Sequence, residues 1–84
     1  MEMNDKVKEL VAVGASITAN CQPCLQFHVE KALQFGADAE EVAAAIEVGQ
    51  RVRKGAGGKM DTFASSLKEI GSDQAKATSS ACCS

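Results

Sequence analysis

The residues of this sequence that could do redox chemistry are two cysteines and a histidine. Cys21 and Cys24 stand three positions apart, and His28 follows Cys24 by four. A thiol at a helix N-terminus ionises readily, because free N–H groups and the helix dipole favour an anion there. Cys24 and His28 are predicted to share one helix face. His28 could then act as a base or proton shuttle for a sulfur.

The residues around this pair predict where the helix begins and ends. Asn20 is a good N-cap, since its side chain accepts hydrogen bonds from the first turn. Pro23 is tolerated in that turn, where no hydrogen bond within the helix is lost. Gly36 suits a left-handed residue at the end. We therefore expect a helix from about Cys21 to Gln34.

The pair formed by Cys21 and Cys24 has other possible interpretations. In one alternative the two cysteines have no chemical role and are simply small apolar residues buried in the core, as free cysteines often are. Structural zinc could use Cys21, Cys24 and His28, with Cys82 or Cys83 as the fourth ligand. Zinc sites usually take ligand pairs from two separated elements, and this sequence has no second ordered pair. The redox interpretation is therefore favoured. A c-type haem site is excluded, because its histidine directly follows the second cysteine.

Composition indicates one small domain. The chain has 84 residues, a net charge of −2 at pH 7, three Phe and no Trp or Tyr. A core of small side chains buries little area, so we expect an oligomer. The sequence has no basic face that would indicate nucleic-acid binding, and it has no apolar run long enough to span a membrane. The acidic N-terminus does not resemble a secretion signal, so we expect a cytoplasmic protein with a working dithiol.

Apolar residues recur at helical spacing, which predicts an all-α bundle of about four helices. The first covers residues 5–19 and the third starts at a capping box formed by Asp38 and Glu41. Gly55-Ala56-Gly57-Gly58 is predicted to be a turn before a fourth helix over 59–70. Residues 1–71 would form the domain, and 72–84 a flexible tail.

Glu9, Cys21-x-x-Cys24-x-x-x-His28 and the segment 36–41 together resemble the alkylhydroperoxidase D-like, or carboxymuconolactone decarboxylase-like, family. By itself Glu9 would be a solvated helix charge. The resemblance covers about residues 7 to 70 and implies a helical fold, a thiol redox centre and assembly as trimers or hexamers. It implies that Cys24 attacks, that Cys21 resolves, and that Glu9 and His28 relay protons.

Gln22-Pro23 between the cysteines is similar to the Cys-x-Pro-Cys of thioredoxin-like proteins. Family decarboxylases generally lack the cysteine pair, so we do not expect decarboxylation. The sequence predicts a peroxidase-type thiol-disulfide oxidoreductase without cofactor or metal. It would act on a peroxide or disulfide and be restored by an external thiol reductant.

Two alternatives remain at this point. One is a non-enzymatic module that binds a soft metal or metalloid through Cys21, Cys24, Cys82 and Cys83. The other is a purely structural oligomeric bundle. The vicinal Cys82-Cys83 pair is either an incidental end or a mobile dithiol arm that reduces the core pair.

Overall fold

A computed structural model describes residues 2–74, and in them the backbone forms three α-helices. These are α1 (Asp5–Thr18), α2 (Gln22–Gln34) and α3 (Ala39–Gln74). α1 packs against both other helices, whereas α2 and α3 touch over a smaller area. Residues 2–74 contain no strand, which confirms the all-α class. None of the described helices is both long and apolar enough to cross a membrane.

The start of α3 and the turn before it follow the predicted local chemistry. The Glu41 N–H donates to Asp38 Oδ1 at 2.8 Å, and the Asp38 N–H donates to Glu41 Oε1 at 3.1 Å. This reciprocal pair confirms the capping box. Gly36 ends α2 with a φ of +100°, in the left-handed region that a residue with a Cβ rarely adopts.

The predicted turn at Gly55–Gly58 is wrong, because α3 continues through it without a break. There are therefore three described helices and not four. The apolar spacing explains the continuity: Val42, Gly49, Ala56, Phe63 and Ile70 recur every seven residues, close to two helical turns. Each glycine costs a helix roughly 0.5–1 kcal/mol, but its backbone remains free to be helical.

α3 passes the boundary predicted at residue 72, and its described part extends to Gln74. The rest of the predicted tail, with Cys82 and Cys83, lies outside the described residues. The division into a domain and a tail, and the roles suggested for these two cysteines, therefore stay predictions.

The core is small and made of aliphatic side chains. Ala32, Ala37 and Val42 form a buried cluster, against which Leu10, Val29 and Ile46 pack. α1 and α3 cross at two glycines. A Cβ placed on Gly49 would lie 2.5 Å from the carbonyl oxygen of Gly14 and 2.8 Å from Cβ of Ile17. The two backbones therefore approach closely because neither residue has a side chain.

We expect Gly49→Ala to destabilise the protein by about 1–3 kcal/mol, because the added methyl group forces the helices apart. Gly57→Ala is the matched control in the same helix, since nothing lies within 4 Å of its Cβ position. It should stabilise the protein by roughly 0.5–1 kcal/mol through helix propensity. Urea unfolding at one fixed protein concentration measures both. A neutral Gly49→Ala would contradict this packing.

Much apolar surface is left uncovered. All side chains from residue 50 to residue 70 are exposed, including Met60, Phe63, Leu67 and Ile70 on one face of α3. A second apolar surface is the open groove between α1 and α3, which Val7, Val11, Val48 and Val52 line. Exposed apolar surface of this extent is typical of an interface between proteins.

We therefore expect an oligomer at micromolar concentration in analytical ultracentrifugation, with a trimer or hexamer favoured by the family resemblance. Phe63→Asp should lower the sedimenting mass, because it puts a charge on the apolar face of α3. Ser65→Asp adds the same charge about half a turn around the helix and should leave the mass unchanged. A stable, folded wild-type monomer would contradict the prediction.

Candidate redox site

The cysteine pair lies at the start of α2, but its N-cap is Cys21 and not Asn20. The prediction for Asn20 is wrong because this residue ends α1. It adopts a left-handed φ of 58°. Its N–H donates to the Ile17 carbonyl at 3.1 Å, while the Cys21 N–H donates to the Ser16 carbonyl at 3.0 Å. These two bonds form a Schellman motif, in which asparagine is a common left-handed residue.

Cys21 is therefore the N-cap of α2. Its Sγ accepts a hydrogen bond from the Cys24 N–H at 3.3 Å. Pro23 lies in the first turn, as predicted. The sulfur of Cys21 thus lies where backbone N–H groups and the helix dipole stabilise negative charge.

Cys21 and Cys24 are joined by a disulfide, with an S–S distance of 2.06 Å and a Cα–Cα distance of 5.3 Å. The two residues differ in accessibility, since Cys24 is exposed and Cys21 is partly buried. Their backbone positions let the two sulfurs bond directly. The pair can accept and release two electrons as a dithiol and a disulfide.

The structure brings Glu9 of α1 next to His28 of α2. Nδ1 of His28 lies 2.6 Å from Oε1 of Glu9, and their side chains are 30% and 21% exposed. An ionised carboxylate only accepts hydrogen bonds, so Nδ1 is the donor. In the neutral ring the lone pair is then on Nε2, and that nitrogen can take a proton.

His28 also lies one helical turn after Cys24, so the two residues share one face of α2. The rings of Phe27 and His28 are nearly perpendicular, with ring centroids 5.0 Å apart. The structure thus brings Glu9 to His28 across α1 and α2. Sequence spacing alone predicts that Glu9 is a solvated charge. The family resemblance is the only feature of the sequence that indicates a role for Glu9 in this site.

A cleft of about 210 Å³ opens beside the disulfide, and Cys21 forms part of its wall. Ile17 and Leu25 contribute apolar surface, and Arg53 of α3 lies at the cleft. The guanidinium Nη1 of Arg53 donates to the Ile17 carbonyl at 3.2 Å and to Asn20 Oδ1 at 3.0 Å. The sequence gives no signal for Arg53, because nothing local distinguishes it from other exposed arginines.

The structure also bears on the alternative that Cys21, Cys24 and His28 hold a structural zinc ion. Among the described residues, no group of three or more His, Cys, Asp or Glu side chains is placed to hold a metal ion. Zinc binds thiolates, and Cys21 and Cys24 are joined as a disulfide. The fourth ligand of that alternative, Cys82 or Cys83, lies outside the described residues.

Comparison with known proteins identifies the family. No curated protein and no solved structure gives a significant match. The sequence model of the carboxymuconolactone decarboxylase family matches residues 2–57, about two-thirds of the 84 residues. The matched range includes Glu9, the cysteine pair, His28 and Arg53. The match confirms the resemblance seen in the sequence, and the chain belongs to the carboxymuconolactone decarboxylase family.

Proposed function

We propose that this protein is a thiol-disulfide oxidoreductase of the peroxidase type, in which the Cys21–Cys24 pair cycles between dithiol and disulfide. One observation carries the proposal. The disulfide lies at the start of α2, one turn before an imidazole that is hydrogen-bonded to a carboxylate at 2.6 Å. A redox-active sulfur pair and a proton acceptor are the groups that thiol peroxide reduction needs.

In the first step Cys24 attacks a hydroperoxide. Nε2 of His28 takes the thiol proton, while Glu9 holds the ring and stabilises the imidazolium. The thiolate attacks one peroxide oxygen, a sulfur–oxygen bond forms and the oxygen–oxygen bond breaks. The departing alkoxide takes a proton from His28 and leaves as an alcohol. Cys24 is now a sulfenic acid. The exposure of Cys24 favours it over Cys21 as the attacking residue.

In the second step Cys21 resolves the sulfenic acid. Its sulfur attacks the Cys24 sulfur, a disulfide forms, and hydroxide departs with the thiol proton as water. An external dithiol then transfers two electrons to the pair and becomes a disulfide itself. The Cys21–Cys24 bond of the described structure corresponds to the oxidised state of this cycle.

The test uses the full chain with Cys82→Ser and Cys83→Ser, so that the core pair holds its only thiols. The reduced protein is mixed with one equivalent of tert-butyl hydroperoxide, and peptide mass spectrometry follows the cysteines. Formation of the Cys21–Cys24 disulfide at a rate well above that of a free thiol supports the proposal. Inertness towards peroxide contradicts it, whereas a tightly retained metal in the wild-type protein favours the metal-binding alternative.

A further inference from the structure

The cleft beside the disulfide carries a positive charge, that of Arg53, which forms no ion pair with a carboxylate in the part of the chain that the structure describes. Arg53 bonds only to uncharged oxygens there, the Ile17 carbonyl and Asn20 Oδ1. Arg53 takes part in neither the Lys6–Glu41 nor the Glu9–His28 ion pair, so the carboxylates of Glu41 and Glu9 do not neutralise it. Arginine keeps its charge at every physiological pH. A permanent cation therefore lies next to the wall formed by Cys21.

This cation is also held in place. Both of its hydrogen bonds use Nη1, which leaves Nη2 and Nε with N–H groups for a ligand. The acceptors belong to the end of α1, where Asn20 is fixed by the Schellman turn. A guanidinium held on one side matches the planar, two-oxygen geometry of a carboxylate on its other side.

A purely structural role is the competing explanation. Arg53 caps a carbonyl at the C-terminal end of α1, which has no basic residue in its last turn. A cation there stabilises the helix dipole. That role would be indifferent to the charge of a substrate, whereas a binding role would not. The charge of the substrate is therefore the variable that separates the two.

We propose that this cleft binds the carboxylate of the substrate, with Arg53 as the recognising residue. The inference rests on the proposed redox function and names its substrate class as small disulfides or hydroperoxides that carry a carboxylate. The volume agrees with a small molecule, since about 210 Å³ lies below the roughly 300–1,000 Å³ of sites for drug-sized ligands. Ile17 and Leu25 would cover the carbon atoms between the carboxylate and the reacting group.

With a disulfide substrate, the Cys24 thiolate attacks one substrate sulfur and displaces the other half as a thiolate, which takes a proton. The Cys21 thiol then loses its proton and attacks Cys24 Sγ, which releases the second half. The products are two substrate thiols and the Cys21–Cys24 disulfide, so that two electrons pass from the protein to the substrate.

The first experiment compares 3,3′-dithiodipropionate with its uncharged diamide as oxidants of the reduced protein, again with Cys82→Ser and Cys83→Ser. Each rate is divided by the rate of 2-mercaptoethanol with the same disulfide, which removes intrinsic reactivity. We expect a normalised preference for the diacid of about tenfold, the lower end for a charged hydrogen bond in an open cleft. Arg53→Gln should bring the ratio to about one, and Arg53→Lys should give an intermediate value.

Arg51→Gln is the matched control, because it removes the same charge from the same helix two residues away. It should keep the preference, since Arg51 does not line the cleft. Equal normalised rates for diacid and diamide in the wild-type protein would overturn the inference while leaving the redox function standing. This comparison leaves Arg53 unchanged, so a poorly folded Arg53→Gln could not obscure it.

A second experiment is independent of the reaction. The oxidised protein is titrated with 3,3′-thiodipropionate, a thioether that thiols cannot reduce, and NMR follows the backbone N–H groups of residues 16–25 other than Pro23. We expect saturable shifts that are lost in Arg53→Gln and kept in Arg51→Gln. Absence of saturable shifts in the wild-type protein overturns the inference even if the dithiol reacts with peroxides. If reduced protein reacts with no oxidant, the redox proposal fails, and this titration still decides whether the carboxylate site exists.

Discussion

Replacing Cys24 by serine should lower the rate of peroxide reduction by on the order of a thousandfold or more, because a hydroxyl at neutral pH supplies no anion to attack the peroxide. Cys21→Ser should behave differently. It should consume peroxide once and stop at a sulfenic acid on Cys24, since no neighbouring thiol is left to form the disulfide. The two variants therefore separate attack from resolution.

Dimedone trapping and mass spectrometry make this measurement in single-turnover reactions. The variant with Cys82→Ser and Cys83→Ser is the control, and its core pair should oxidise at the wild-type rate. The opposite pattern, with a sulfenic acid on Cys21 in the Cys24→Ser protein, would assign the attack to Cys21. Cys21 lines the cleft, whereas Cys24 is the more exposed residue. The experiment thus decides between accessibility to solvent and proximity to the cleft.

His28→Gln should slow oxidation of the reduced pair by about a hundredfold, the lower end for loss of a general base. Glu9→Gln should have a smaller effect, roughly tenfold, because the amide oxygen still accepts from Nδ1 but no longer balances the imidazolium charge. The double variant should be no slower than His28→Gln alone, since Glu9 acts through the ring.

The competing explanation is that this pair only ties α1 to α2. It predicts a lower melting temperature with an unchanged rate constant, so both quantities should be measured on each variant. Glu30→Gln is the control, because it removes an exposed carboxylate from α2 about half a turn around the helix from His28. Additive rate effects in the double variant would mean that Glu9 and His28 do not act as one relay.

Local chemistry made much of the fold predictable. The capping box of Asp38 and Glu41 and the left-handed Gly36 depend on residues within a few positions of each other. Cysteines three apart at the first turn of a helix are likewise close whatever the rest of the chain does. The sequence by itself therefore determined the all-α class, the C-terminal end of α2 and the nearness of the two thiols.

The two errors have related causes. Asn20 and Cys21 are neighbours that can both cap a helix, and the bonds that end α1 decided between them. The composition of residues 55–58 predicts a turn, although the seven-residue apolar spacing continues on both sides. In both places the residue type is compatible with two local structures. The backbone on either side determines which of the two forms.

Tertiary structure alone decided which distant residues meet. Glu9 and His28 are 19 positions apart, and Arg53 is 33 positions from Asn20. Helical periodicity gives the face on which a residue lies, but it does not give the angle or depth at which two helices cross. Here Gly14 and Gly49 let α1 and α3 approach closely, which puts Arg53 at the end of α1. The sequence thus determined the redox pair, and the packing of the helices determined the groups that surround it.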